Sequence, residues 1–401
     1  MAEKAKAPAI RFKGFTEDWE QREWVGTVDI STNMVDPKSG DYDELPHVAP
    51  GNIESFTGRL FDNVKTVKEE NLISGKFHFY PGDVIYGKIN PQLGKYVIAT
   101  FEGLTSADAY VLNAKNGLDQ KFLFTLLQTD NFYKYTVSVS KRSGMPKINR
   151  EELNAYGFSV PKTIEQSQIG SLFLAFDNLI TLHQRKLLKL KNVKTAMLEK
   201  MFPKNGSNVP EIRFAGFTDA WEQRKAIDIF RTTADKNHPD LPVLSATQEY
   251  GMILREDTGI NISHDTENEA TYKRVWPGQF VIHLRSFQGG FAHANVDGIT
   301  SPAYTVMDFI EPKTHYDFFW KYIFSSGKFI KSLEKVTYGI RDGRSISYDD
   351  FSTMSFLYSG FGEQKAIGQL FQRLDHLITL HQRKLKKLQN VKKSMLEKMF
   401  V

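Results

Sequence analysis

Two short segments hold the side chains best suited to patterned hydrogen bonding. Lys88-Ile89-Asn90-Pro91-Gln92-Leu93-Gly94-Lys95 and His283-Leu284-Arg285-Ser286-Phe287-Gln288-Gly289-Gly290 each follow an apolar strand-like run. Arg and Lys donate in a fork to guanine, and Asn and Gln donate and accept at once to adenine, so Lys88, Asn90, Gln92, Lys95, Arg285, Ser286 and Gln288 have the chemistry that reads base edges. A solvated hairpin accounts equally well for any one of them. A second pair of loops, Lys141-Arg142-Ser143-Gly144-Met145-Pro146-Lys147 and Gly339-Ile340-Arg341-Asp342-Gly343-Arg344-Ser345, is basic and contains glycine. There Lys141, Arg142, Ser143, Lys147, Arg341 and Arg344 suit phosphate contact, with one arginine able to reach a base edge. Asn52 and Gln248 are weaker candidates of the same amide chemistry, explained about as well by turn hydrogen bonds.

Other chemistries find no support. The chain has no cysteine, which removes disulfides, thiolate nucleophiles and cysteine-ligated zinc and fits a reducing compartment. The sequence contains no G-x-x-x-x-G-K-[ST] phosphate loop, no metal-ligand spacing and no dinucleotide fingerprint. An Asn-Pro-Pro-aromatic motif is also missing, since Asn90-Pro91-Gln92-Leu93 shares only its first two residues. Neither a signal peptide nor a membrane span is predicted, so we expect a soluble, cytoplasmic protein without a membrane partner. The Lys and Arg total exceeds Asp and Glu by 52 − 47 = 5, which suits a polyanion without requiring one. Placement says more than the sum: Arg185, Lys186, Lys189, Lys191 and Lys194 crowd one stretch of helix, although such a run is often a solvated face.

The elements that must position these loops come in two copies. Arg11-Phe12-Lys13-Gly14-Phe15-Thr16-Glu17-Asp18-Trp19-Glu20-Gln21-Arg22 recurs 202 positions later as Arg213-Phe214-Ala215-Gly216-Phe217-Thr218-Asp219-Ala220-Trp221-Glu222-Gln223-Arg224. Residues 165–202 recur as 363–400 with 27 identities in 38 positions. Between these matched ends the interiors differ, aligned only by landmarks such as Pro81-Gly82 with Pro277-Gly278 and Gly94 with Gly290. Residues that read unlike targets should differ between copies, whereas residues that tie a body to its helix should match. Phe12, Phe15, Trp19 and Arg22, with Phe214, Phe217, Trp221 and Arg224, are therefore assigned to the framework rather than to base stacking.

Each body is predicted to mix strands with a helix, over Phe122, Leu123, Leu126 and Leu127 in one and Phe318, Phe319, Tyr322 and Ile323 in the other. With 41% hydrophobic content, two domains can each bury a core. The expected divisions are 1–162 for the first body, 163–202 for a central helix, 203–210 for a turn-rich linker, 211–360 for the second body and 361–401 for a distal helix. Thr163 and Gln166 have capping-box spacing at the first helix start.

Both helices carry seven-residue spacing. Ile169, Phe176, His183, Leu190 and Met197 form one row and Phe173, Ile180, Leu187, Lys194 and Met201 another, repeated as Ile367, Leu374, His381, Leu388 and Met395 with Phe371, Ile378, Leu385, Lys392 and Met399. Such stripes need partners, and two in one chain can satisfy each other as an antiparallel coiled coil. Phe173, Phe176, Ile180, His183, Leu187, Leu190, Leu374, Ile378, His381, Leu385 and Leu388 are the predicted inter-helix or partner surface. His183 and His381 are expected to fix register rather than bind metal. Leu172, Leu179 and Val193 widen the stripe, leaving apolar surface for another protein.

The duplicated Arg-Phe-x-Gly-Phe start and the Glu-Gln-x-x-Ile-Gly helix ending Met-Leu-Glu-Lys-Met-Phe resemble the specificity subunit of type I restriction-modification systems, over nearly the whole chain. The resemblance implies an α+β fold in which two mixed α/β target recognition domains alternate with two long helices, paired as an antiparallel coiled coil in a pseudo-two-fold internal repeat. It also implies a non-catalytic subunit that binds double-stranded DNA, docks two modification (methyltransferase) subunits and recruits restriction (translocase/nuclease) subunits. The chain itself would hold no cofactor or metal; S-adenosylmethionine and ATP with magnesium would belong to the partners. A 38-residue helix is about 57 Å long at about 1.5 Å per residue, against about 34–36 Å for one DNA turn, so a bipartite, asymmetric target with a fixed gap is expected. A non-catalytic scaffold with two protein-binding domains is the alternative, and an enzyme with degenerate motifs a third class.

Overall fold

The computed structural model describes residues 7–141, 144–204, 206–247, 250–259, 266–283, 290–333 and 346–401. The chain divides into two compact units, Met1–Arg185 with His381–Val401, and Lys186–Leu380. In each, a body and the helix that follows it are joined by the end of the other long helix.

In the first unit, strand Glu20–Glu23 pairs antiparallel with Gly157–Val160, bringing the start and finish of the body together. The central sheet runs in the order Tyr96–Ile98, Val84–Gly87, Ala109–Ala114, Val28–Ile30, antiparallel throughout. Strand alternation sends successive side chains to opposite faces. Val84, Tyr86 and Leu112 enter a core with Trp24, Phe122, Leu123 and Phe132, while Ile85, Val97 and Val111 enter a second core with Val48, Ile53 and Phe79. Coverage on both faces explains why all of Val84–Gly87 is buried and why that run is continuously apolar. The second core is closed by a five-stranded sheet of Met34–Val35, Lys76–Phe79, Gly103–Thr105, Pro46–Val48 and Lys65–Thr66, in which Gly103–Thr105 and Pro46–Val48 are parallel.

The second unit uses the same plan. Glu222–Lys225 pairs with Ser355–Tyr358, and the central sheet runs Phe291–His293, Phe280–Ile282, Thr305–Phe309, Phe230–Thr233. Helix Asp317–Phe324 occupies the place that Gln120–Leu126 holds in the first unit, and Phe319, Trp320 and Tyr322 are fully buried.

The long helices span Thr163–Lys200 and Phe361–Met399. Their repeated Glu-Gln-x-x-Ile-Gly opening is a set of attachments. Glu165, fully buried, takes a bidentate ion pair from Arg11 at 2.7 and 2.8 Å. Gln166 accepts from the Asp119 amide at 2.9 Å and donates to the Pro161 carbonyl at 2.8 Å. Ile169 enters the core, and Gly170 leaves room for the body helix, where an added Cβ would lie 2.6 Å from Lys121 Cβ. Arg213 and Glu363, Gln364 with the Tyr316 amide and Ser359 carbonyl, Ile367, and Gly368 against Tyr316 repeat each contact. The expected capping box is replaced by this arrangement: the Thr163 hydroxyl donates to the Gly117 carbonyl, and the Gln166 amide serves the body instead of its own helix. The physical reason is that the helix start is packed against the body, whose own backbone groups need partners there.

The seven-spaced rows meet within each unit. In the first, Phe173 and Phe176 share a core with Met395, Met399 and Phe400, His183 Nδ1 lies 2.8 Å from His381 Nδ1, and Lys392 pairs with Asp177. Ile180, Leu385 and Leu388 are half-buried. In the second, Leu190, Val193 and Met197 pack with Leu374, and Lys194 Nζ lies 2.5 Å from Asp375, which also accepts from the Tyr322 hydroxyl at 2.8 Å. Leu187 and Ile378 are half-buried there. Leu172 and Val193 of the widened stripe pack into cores, whereas Leu179 is exposed.

Candidate nucleic-acid interface

The first body joins the two loop segments singled out by their chemistry. Strand Val84–Gly87 runs into residues 88–95, where Asn90 adopts φ 51° and starts a short 3-10 turn, Pro91–Leu93. Asn tolerates that left-handed conformation better than most residues. The Asn90 amide donates to the Pro146 carbonyl at 2.8 Å, Ile148 donates to Lys88 at 3.0 Å, and Ile89 bridges Lys147. Residues more than fifty positions apart thus form one polar rim. Gln92 is exposed and its side-chain Nε2 donates to the Asn90 side-chain Oδ1 at 3.2 Å, which holds both amides together. Lys147, bridged to Ile89, is exposed beside them, and Lys141 is exposed as well.

Two lysines of the rim have internal partners. Lys88 Nζ lies 5.4 Å over the Tyr110 ring, whose hydroxyl donates to the Ile148 carbonyl at 3.2 Å. Burial raises the Tyr110 phenol above its ordinary value, which keeps it a neutral donor. Lys95 donates to the Ile53 carbonyl and lies 5.6 Å over Phe61. Its ammonium is engaged with the body itself. Asn52 is buried, accepting from the Ala49 amide and donating to Asn63, so the turn explanation holds for it.

The rim also has supports that the residue types did not indicate. Phe56, at φ 62° and 52% exposed, donates its amide to the Gly94 carbonyl and sets its ring where a Gly94 side chain would be, at 2.4 Å from the added Cβ. Tyr133 stands edge-on to Phe56 at 5.5 Å and donates to the Gln92 carbonyl at 3.4 Å. Gly94 was visible as a repeated landmark; nothing local marks Phe56 or Tyr133.

In the second body, His283 donates its amide to Gly290 at 3.0 Å, closing the base of the equivalent loop. Arg285, Ser286 and Gln288, like Arg341 and Arg344, Arg142 and Ser143, and Gln248, lie outside the described residues. Among the described residues, no group of three or more His, Asp or Glu is placed to hold a metal ion, and no helix is long and apolar enough to cross a membrane.

Each unit is thus a mixed α/β body attached to a long helix through residues that the two copies share. Residues 16–192 match the type I restriction modification DNA specificity domain. The first body and most of the helix that follows it are similar to that domain. The chain is 33% identical over 189 residues to the type I restriction enzyme EcoDI specificity subunit of Escherichia coli, covering 46% of this chain and 41% of that protein. The alignment thus spans less than half of that relative. The fold is also that of the crystal structure of a type I restriction-modification S subunit from M. genitalium, with TM-score 0.64 and 12% identity over 98% of this chain and 99% of the other.

Proposed function

We propose that this chain is the non-catalytic, sequence-reading subunit of a type I restriction-modification complex, each body reading one half of a bipartite, asymmetric DNA target. One observation carries the reading: the exposed Gln92 and Lys147 are brought together with Asn90 by the pairing of residues 88–90 with 146–148, within the segment that matches the type I DNA specificity domain. Amides there suit base edges and lysines suit phosphates. In this reading the long helices pair as an antiparallel coiled coil in a pseudo-two-fold repeat and set the gap between half-sites. The cross-helix pairs Asp177 with Lys392 and His183 with His381 support it, because the numbers rise on one helix as they fall on the other.

Two modification subunits, holding S-adenosylmethionine, and restriction subunits, using ATP and magnesium, would supply the chemistry in the cytoplasm. Exposed Leu179, Leu182, Leu377 and Leu380 support protein docking on the helices. The test is a methylation map of DNA treated with this chain and a cognate modification subunit. A two-part motif with a fixed gap is expected, and Asn90→Ala with Gln92→Ala should relax one half only. Salt-insensitive DNA binding and no motif would instead favour a protein scaffold.

A further inference from the structure

Between Asp177 and Glu199 the first long helix has five cations and no carboxylate, and between Asp375 and Glu397 the second has six and none. One cation of each set, Lys194 and Lys392, is consumed by an ion pair across the helices. The others behave differently. In the first unit Arg383, Lys384, Lys386, Lys387 and Lys393 are exposed, and none forms an ion pair among the described residues. At about 100° per residue Arg383, Lys386, Lys387 and Lys393 fall on the half of the helix turned away from His381, Leu388 and Lys392, and Lys384 lies about 60° from that row. In the second unit Lys186, Lys189 and Lys191 are likewise exposed on the first helix.

A helix that only needs solubility normally interleaves both signs, because like charges three and four apart repel. Arg383 with Lys387 and Lys384 with Lys387 pay that repulsion uncompensated in the free chain. Protein-docking cores are depleted in lysine and enriched in aromatic residues, the opposite of this face. A one-signed, lysine-rich face without aromatic neighbours fits a regular polyanion.

We infer that these helix faces grip DNA phosphates outside the bases read by the loops, adding affinity without sequence preference. The inference rests on the DNA-reading function proposed above. It assigns the helices a direct share of binding in addition to their spacing role.

The experiment is fluorescence anisotropy of the full chain on a random-sequence duplex across 50–300 mM salt, a range set by the counterion argument at roughly physiological strength. The variant is Arg383→Gln with Lys384→Gln, Lys386→Gln and Lys387→Gln. Each lost phosphate contact lowers the slope of log affinity against log salt by about 0.9, so a fall of about 3.6 is expected. The methylated motif made with the modification subunit should be unchanged. A slope equal to that of the unaltered chain overturns the inference and leaves the loop reading intact; loss of modification-subunit binding at an unchanged slope does the same and marks a protein interface. If the unaltered chain has no salt-dependent binding and yields no motif, both readings fall. A Lys386→Gln, Lys387→Gln double variant should drop the slope by about 1.8, and arginine at the three lysines should restore it, which separates charge from folding.

Discussion

Replacing Arg11 by alanine should destabilise the first unit far more than Arg213→Ala destabilises the second, although both residues do the same work. In the first unit Glu165 has a side chain with no exposure, and among the described residues Arg11 alone holds both its oxygens, at 2.7 and 2.8 Å. Removing one partner of a buried pair strands a charge and costs about 3–5 kcal/mol. Glu363 has a second donor, because Trp221 Nε1 reaches its Oε2 at 3.2 Å. The equivalent Trp19 Nε1 is buried without a hydrogen-bond partner among the described residues. A hydrogen bond to a charged group contributes about 1.5–3 kcal/mol, so Arg213→Ala should cost only about 1–3 kcal/mol. Native-state hydrogen exchange resolves the units separately, read at Gln120–Leu126 for Arg11→Ala and at Asp317–Phe324 for Arg213→Ala, the helices braced by Gln166 and Gln364. Arg11→Met with Glu165→Gln should recover much of the loss by removing the stranded charge. Equal losses in the two units, or a larger one in the second, would refute the reasoning.

Other consequences follow from the same contacts. Burial lowers the His315 imidazole to about 4, below the unfolded value of 6.5, so the unfolded second unit takes up the proton first. Stability present above pH 6.5 is then lost as pH falls toward 4, by about 3 kcal/mol; urea midpoints against pH should show this slope, and His315→Leu should flatten it. Gly170→Ala should cost about 1–3 kcal/mol, since its Cβ would meet Lys121 and the Phe122 amide at 2.6 and 2.7 Å; an unchanged thermal midpoint would contradict the close approach. Inserting one heptad into both long helices should lengthen the unspecified gap without altering either half-site, which a methylation map would test directly. Arg285→Ala should change one half-site, and equal damage to both would reassign it to folding or general phosphate contact.

Much of the frame was legible because duplication labels it. The repeated Glu-Gln-x-x-Ile-Gly and Arg-Phe-x-Gly-Phe segments turn out to be opposite sides of the same joints, Arg11 with Glu165 and Arg213 with Glu363. Seven-residue spacing likewise located the stripe that packs, and the Pro-Gly landmarks located the strands. What periodicity reports is a direction, not a partner: it put Lys194 and Lys392 on the apolar row but gave no reason for them to be there until Asp375 and Asp177 stood opposite. Local signals also misassigned Gln166, whose spacing from Thr163 fits a capping box while the body supplies a better use for its amide. The rim of the candidate interface depends on the Asn90 to Pro146 hydrogen bond, a contact of long sequence separation that no window could reveal.

The division between matched and unmatched residues has a physical basis. Gln166 and Gln364 bind backbone groups, Asp119 and Pro161 in one unit and Tyr316 and Ser359 in the other, so the joint is indifferent to which side chains the body presents. Glycine at 170 and 368 removes the remaining steric dependence on the body helix, whether it offers Lys121 or Tyr316. A frame that attaches through backbone and a buried ion pair can carry bodies whose loops change independently. The same independence would let Asn90, Gln92 and their second-body counterparts diverge without loosening the helices, which is the requirement for reading two unlike half-sites with one chain.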